Sequence, residues 1–210
     1  MNHFAAILIA YVLGSIPSAY YAGRWIKGID LRTCGSGNLG FTNAWRTLGA
    51  KWSIPVLLFD IGKGVAAVLL AFWLAPGSDG TAILAGLVAI LGHNWTIFLG
   101  FKGGGKGVAC SAGVFLTLMP YPFLITFVLF LLILTTTRYM SLASIVGALA
   151  LVCSGTVFRW LQWGTAPSTA IYLFSIFAAL LIILKHLSNI KRLLQGTEPK
   201  LGHHSTEEKS

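Results

Sequence analysis

Seven apolar runs, near residues 4–23, 53–75, 81–99, 107–119, 122–137, 142–162 and 168–185, fill most of this 210-residue chain. About 20 apolar residues cross a hydrocarbon core of roughly 30 Å as a helix, and only segments that satisfy their own backbone hydrogen bonds can do so. The sequence therefore predicts an all-α integral membrane protein of about seven transmembrane helices. Composition agrees, with 56% hydrophobic and 10% charged residues, against about 25% charged in soluble domains. Met1 to Ala22 lacks a basic leading segment and is followed by Arg24 and Lys27, so it reads as a retained first span rather than a cleaved signal. The rest of the chain reads as one transmembrane domain over residues 1–202, with a polar tail, 203–210, expected to be disordered.

The run 107–137 is the doubtful one, because its first thirteen residues rise only about 20 Å as a helix. Pro120 and Pro122 lie at its middle and suit a short helical hairpin. Cytoplasmic loops carry the excess of Lys and Arg. With a hairpin here and the N-terminus outside, every Lys and Arg except Lys63 and Arg159 falls on one face. A single crossing would split them eight against six. The expected topology is N-terminus out and C-terminus cytoplasmic. It brings the loop 24–52, the loop 100–107, the turn 138–141 and the segment after Lys185 to one side. Within the second span, Asp60 and Lys63 share a helix face three residues apart, where a structural ion pair is the expected state and a proton or ion pathway the alternative.

The loop Gly100–Gly107, GFKGGGKG, holds five glycines and two lysines. Glycines let backbone N–H groups converge on an anion, and a lysine beside them adds a mobile charge. The spacing Gly100-x-x-x-x-Gly105-Lys106 matches the first seven positions of a nucleotide-binding P-loop, but Gly107 stands where a magnesium-ligating Ser or Thr is required. No strand precedes it either, so a phosphate site without metal is expected. Lys106 is the favoured ligand, at the start of a helix whose N-terminus also favours an anion, whereas for Lys102 a direct role stands beside snorkelling to lipid headgroups. His93 reads as structural.

A second donor-rich stretch is GSGNLGFTNAWR at 35–46. Ser36, Asn38, Thr42 and Asn43 can donate hydrogen bonds, and Arg46 offers a planar fork for phosphate. Ser141 suits a helix cap. His186 and Asn189 share a face if the last span continues as a helix. The chain has no G-x-S-x-G and no metal-ligand cluster, and its three cysteines are far apart. Such a set positions phosphates and neutralises charge rather than acting as a covalent nucleophile.

Three segments together, GSGNLGFTNAWR at 35–46, GHNWTIFLGFKGGGKGVA at 92–109 and HLSNIKRLLQGTEP at 186–199, resemble the bacterial acyl-phosphate-dependent glycerol-3-phosphate acyltransferases. The likeness covers residues 5–202. It implies transfer of a fatty acyl group from acyl phosphate to the sn-1 hydroxyl of glycerol 3-phosphate, at the cytoplasmic face of the bacterial inner membrane. It implies no metal, no cofactor and no nucleic acid, with membrane lipid as the surroundings. By match, Arg46, Lys106, Ser36, His186 and Asn189 would be catalytic, and Gly37, Asn38, Thr42, Asn43, Gly103, Gly104, Gly105 and Ser141 would bind substrate phosphates. Two departures stand out: Phe41 replaces an expected alanine, and the glycine run is one residue longer than usual. The rival reading of the same basic loops is a transporter or exchanger of small organophosphates, against which the lack of an inverted internal repeat counts.

Overall fold

The computed structural model describes residues 2–163 and 166–202, so the tail 203–210 lies outside the described residues. Ten α-helices follow one another: α1 (His3–Ser15), α2 (Ser18–Lys27), α3 (Phe41–Leu48), α4 (Ala50–Leu74), α5 (Asp79–Asn94), α6 (Val108–Leu118), α7 (Pro120–Thr137), α8 (Met140–Trp160), α9 (Thr169–Lys185) and α10 (Leu187–Leu194). The described residues contain no strand.

The first span is broken rather than continuous. Pro17 has no N–H and its ring clashes with the preceding turn, so α1 stops at Ser15 and α2 starts at Ser18. The carbonyls freed by the break are taken by side chains from elsewhere in the fold: Thr96 Oγ1, in the turn after α5, donates to Ser15 O, and Lys63 Nζ of α4 donates to Ile16 O at 2.9 Å. The last span also departs from expectation, because α9 and α10 meet at 58° instead of forming one helix.

Five segments have the length and apolarity to cross a membrane, namely His3–Lys27, Ala50–Leu74, Asp79–Leu99, Pro120–Thr137 and Met140–Trp160, and a sixth is the bent pair α9–α10. All seven apolar runs are helical. However, the 11-residue α6 rises only about 16 Å, too little to span. The chain turns back after it through the buried Met119. Pro120 then opens α7, at a position where a missing N–H costs nothing. Ser154 Oγ donates to Pro122 O at 3.1 Å and pins this hairpin against α8.

Close helix contacts depend on small residues, as is usual where lipid supplies no hydrophobic drive. A Cβ on Gly64 of α4 would lie 2.2 Å from Cys110 O of α6, and one on Gly113 of α6 would lie 2.0 Å from Ile61 O of α4. Leu58, Leu69, Val128, Leu132 and Leu173 face outward. The helix ends sort into two layers. Leu39 N donates to Gly104 O (3.1 Å), Arg46 to Pro199 O (3.0 Å) and Arg138 to Leu201 O (3.1 Å) at one end. At the other, His3 meets Thr81 (2.7 Å) and Arg159 donates to Pro167 O (2.8 Å).

Asp60 and Lys63 form the expected ion pair, at 2.8 Å and with side chains 1% and 2% exposed. Removing one partner of a buried pair leaves an uncompensated charge. Asp60→Leu is therefore expected to destabilise the fold by about 3–5 kcal/mol, read as a lower unfolding midpoint in detergent; an unchanged midpoint would mean that the pair holds nothing together.

Candidate active site

The first polar loop is wound around Asn43. Its Oδ1 accepts from Ser36 N (3.1 Å), and its Nδ2 donates to Leu31 O (3.0 Å) and Cys34 O (3.1 Å). Gly35, at φ +54°, leaves no room for a Cβ, which would lie 2.4 Å from Asn43 Oδ1. Asn43 thus spends its amide inside the loop, and the curl presents Ser36, Gly37 and Asn38 outward.

The second loop lies flat on the end of α5. Gly105 N donates to His93 O at 2.9 Å. A Cβ on Gly104 would meet Asn94 O at 2.3 Å, and one on Gly105 would meet His93 Nε2 at 1.8 Å. Gly105 therefore packs under the loop and lines neither cavity described below, whereas Gly103 and Gly104 face one. Their N–H groups and that of Lys106 make no hydrogen bond within the described chain. Lys102 is exposed and stands apart from both cavities.

The third segment follows from the α9–α10 bend. His186 sits at the bend, just past the last residue of α9, with Nδ1 2.8 Å from Ile182 O. Because a carbonyl can only accept, Nδ1 carries the proton and Nε2 is left as an acceptor. Burial pushes the His186 imidazole down to about 4, so it is neutral at pH 7. Asn189 Oδ1 accepts from Lys106 Nζ, and its Nδ2 donates to Glu198 Oε1 at 2.7 Å.

Glu198 knots the segment together. Ser141 Oγ and Arg192 Nε each donate to its carboxylate at 2.7 Å. Burial opposes its charge, but these bonds from Asn189, Ser141 and Arg192 outweigh that and hold its carboxyl below the usual range. Ser141 does not cap α8, which starts without a side-chain cap. Glu198 and Arg192 were absent from the expected site; the signal available was that Glu198 is the one carboxylate inside the third motif.

Two cavities meet at these loops. The larger, about 480 Å³, starts among Thr42, Arg46, His186 and Glu198 and runs down between α6, α7, α8 and α9 to Phe115, Phe123 and Leu151. The smaller, about 360 Å³, is lined by Gly37, Gly103, Gly104, Asn94, Lys185 and Ser188. Ser36, Asn38, Lys106 and Arg192 belong to both. The Ser36–Asn38 turn therefore joins the glycine loop, while Arg46 joins the segment around Glu198. Lys106 stands at the junction. Burial lowers its ammonium to about 8, with Glu198 pulling the other way.

The glycerol-3-phosphate acyltransferase family profile matches residues 4–196. A glycerol-3-phosphate acyltransferase of Parasynechococcus marenigrum (strain WH8102) is 46% identical over 93% of this chain and 88% of its own length. One from Thermoanaerobacter sp. (strain X514) is 45% identical over 93% of each. Among solved structures, PlsY (YgiH), an integral membrane glycerol 3-phosphate acyltransferase in its glycerol 3-phosphate form, superposes with a TM-score of 0.82 at 34% identity, covering 96% of both chains. Its lysophosphatidic acid form gives 0.80, covering 95% of both. With the profile spanning nearly the whole chain and the fold shared end to end, this protein belongs to the glycerol-3-phosphate acyltransferase family.

Proposed function

We propose that this multi-pass membrane protein transfers a fatty acyl group from acyl phosphate to the sn-1 hydroxyl of glycerol 3-phosphate, giving lysophosphatidate and inorganic phosphate. The observation that carries this reading is the pair of adjoining cavities that share Lys106, one wholly at the polar end and the other continuing into the apolar interior. Two phosphates and one fatty chain need that shape.

The apolar part of the larger cavity takes the acyl chain. Phe127 and Leu131 line it and are also 44% and 40% exposed on the outer face of α7, which opens a sideways path from the bilayer. The phosphate of the acyl donor occupies the smaller cavity. There the free N–H groups of Gly103 and Gly104 and the Lys106 ammonium meet the charge that builds as the acyl–oxygen bond breaks. Glycerol 3-phosphate occupies the polar head of the larger cavity, its phosphate facing Arg46 and Arg192.

The sn-1 oxygen attacks the acyl carbonyl carbon, the carbon–oxygen bond to phosphate breaks, and the hydroxyl proton leaves with that phosphate. A phosphate ionising near 6 is a better base than an imidazole held near 4. His186 Nε2 orients the hydroxyl. His186→Ala is therefore expected to lower kcat by less than about 10²-fold; a loss of 10²–10⁴ at unchanged KM would make His186 the general base.

The excess of Lys and Arg at the site end supports a cytoplasmic site through the positive-inside tendency. With the α6–α7 hairpin counted as two passes, the N-terminus is outside and the C-terminus inside the bacterial inner membrane. The test is detergent-purified protein given palmitoyl phosphate and glycerol 3-phosphate: equal release of phosphate and lysophosphatidate is expected, with thioester donors inactive. No product from folded protein, together with glycerol 3-phosphate uptake into liposomes, would overturn the reading in favour of a transporter.

A further inference from the structure

We infer that Asp60 and His93 form a buried positioning pair that sets the height of the Gly103–Lys106 loop, and through it the affinity for phosphate in the smaller cavity. The inference rests on the acyl-transfer reading only for what that phosphate belongs to.

Asp60 gathers three helices. Its Oδ1 accepts from Ser18 Oγ of α2 at 2.8 Å, pairs with the Lys63 ammonium of α4 at 2.8 Å, and faces His93 Nδ1 of α5 at 3.5 Å. With Nδ1 turned to the carboxylate, Nε2, on the other side of Cε1, lies against the backbone of Gly105. The same residue accepts the Gly105 N–H through its carbonyl. The loop therefore rests on His93 twice, through main chain and through ring. Lys106 follows at once and reaches Asn189. A tilt of the imidazole is passed to the charge at the junction of both cavities.

His93 is not needed to neutralise Asp60, since Lys63 supplies the opposite charge and Ser18 adds a hydrogen bond. A phenylalanine keeps a flat ring but adds bulk toward Gly105, so the smaller His93→Gln variant carries the comparison. What the imidazole adds is a preferred orientation, since a ring with one nitrogen 3.5 Å from a carboxylate oxygen favours the plane that keeps it there, much as a carboxylate orients a metal-ligating histidine. Misplacement of a binding loop by about 1 Å costs on the order of 10²-fold.

The test is His93→Phe, with His93→Gln as a second variant that keeps polarity without a fixed plane. Binding of inorganic phosphate to the purified protein is measured alongside KM for palmitoyl phosphate, KM for glycerol 3-phosphate and the unfolding midpoint. Expected are a ten- to hundredfold weaker phosphate affinity and a matching rise in KM for palmitoyl phosphate, with a smaller rise in KM for glycerol 3-phosphate, because Lys106 borders both cavities, and a midpoint nearly unchanged. Combining His93→Phe with Gly105→Ala, which disturbs the same contact from the loop side, is expected to be less than additive. Unchanged phosphate affinity in both His93 variants, additive effects in the double variant, or losses that only follow the midpoint would each overturn the inference. Wild-type protein that binds phosphate but forms no lysophosphatidate would instead overturn the proposed reaction and leave this measurement standing.

Discussion

Lys106→Met is expected to lower kcat/KM by about 10²–10³-fold, the usual cost of removing one preorganised donor aimed at developing negative charge. Methionine fills much of the same space without charge, so folding should survive and the unfolding midpoint should move little. The same residue predicts a pH dependence. Burial brings the Lys106 ammonium down to about 8 in the free protein. The positive form exists below that value and is lost above it. Since kcat/KM reports ionisations of free protein and free substrate, it should fall as pH rises through about 8 in the wild type. In Lys106→Arg the charge persists well above pH 10, so the alkaline fall should vanish even though the guanidinium fits less well. A Lys106→Met protein with near-normal turnover, or an alkaline limb that Lys106→Arg leaves in place, would remove this residue from the chemistry.

Gly104→Ala is expected to be nearly as damaging for a different reason. Its Cβ would stand 2.3 Å from Asn94 O and 2.6 Å from His93 O. Both are backbone atoms at the end of α5 and cannot swing aside, so the loop itself must lift. Overpacking of this kind costs about 1–3 kcal/mol, and a lifted loop carries Gly103 and Lys106 away from the phosphate. A loss of roughly 10²-fold in kcat/KM is expected, seen chiefly as a higher KM for the acyl phosphate. Gly100→Ala serves as the control, because a Cβ there meets nothing within 4 Å, although its φ of +60° predicts a modest stability cost. Equal activity of both variants would show that the loop binds no substrate.

Much of the architecture was legible in the chain. Apolar runs marked every membrane helix, since in lipid a segment must be both apolar and helical, and the charge distribution anticipated the α6–α7 hairpin. The two breaks were harder to see. Pro17 interrupts an apolar run without shortening it, and the bend at His186 has no proline or glycine to signal it. Of the site, the three motifs pointed to Ser36, Arg46, Lys106, His186 and Asn189, all of which line the larger cavity. Motif membership did not separate residues that face a cavity from those that shape the loops. Gly105 shares a motif with Lys106, yet it bears on a histidine ring and lines neither cavity, and Asn43, which borders the larger cavity, spends its amide on winding a loop.

The sequence by itself determined that this is a helical membrane protein with its polar, cationic segments gathered at one end, because apolar length and charge placement are properties of the chain read residue by residue. Only the tertiary structure decided how those segments are shared out: that the Ser36–Asn38 turn closes on the glycine loop while Arg46 turns to the Glu198 segment, that Asp60 meets a histidine 33 positions further on, and that the 100–107 loop owes two of its glycines to contact with α5. The reason is that helix packing, set by small residues such as Gly64 and Gly113, brings distant parts of the chain within hydrogen-bond reach, and no local pattern records which side chains will then face each other.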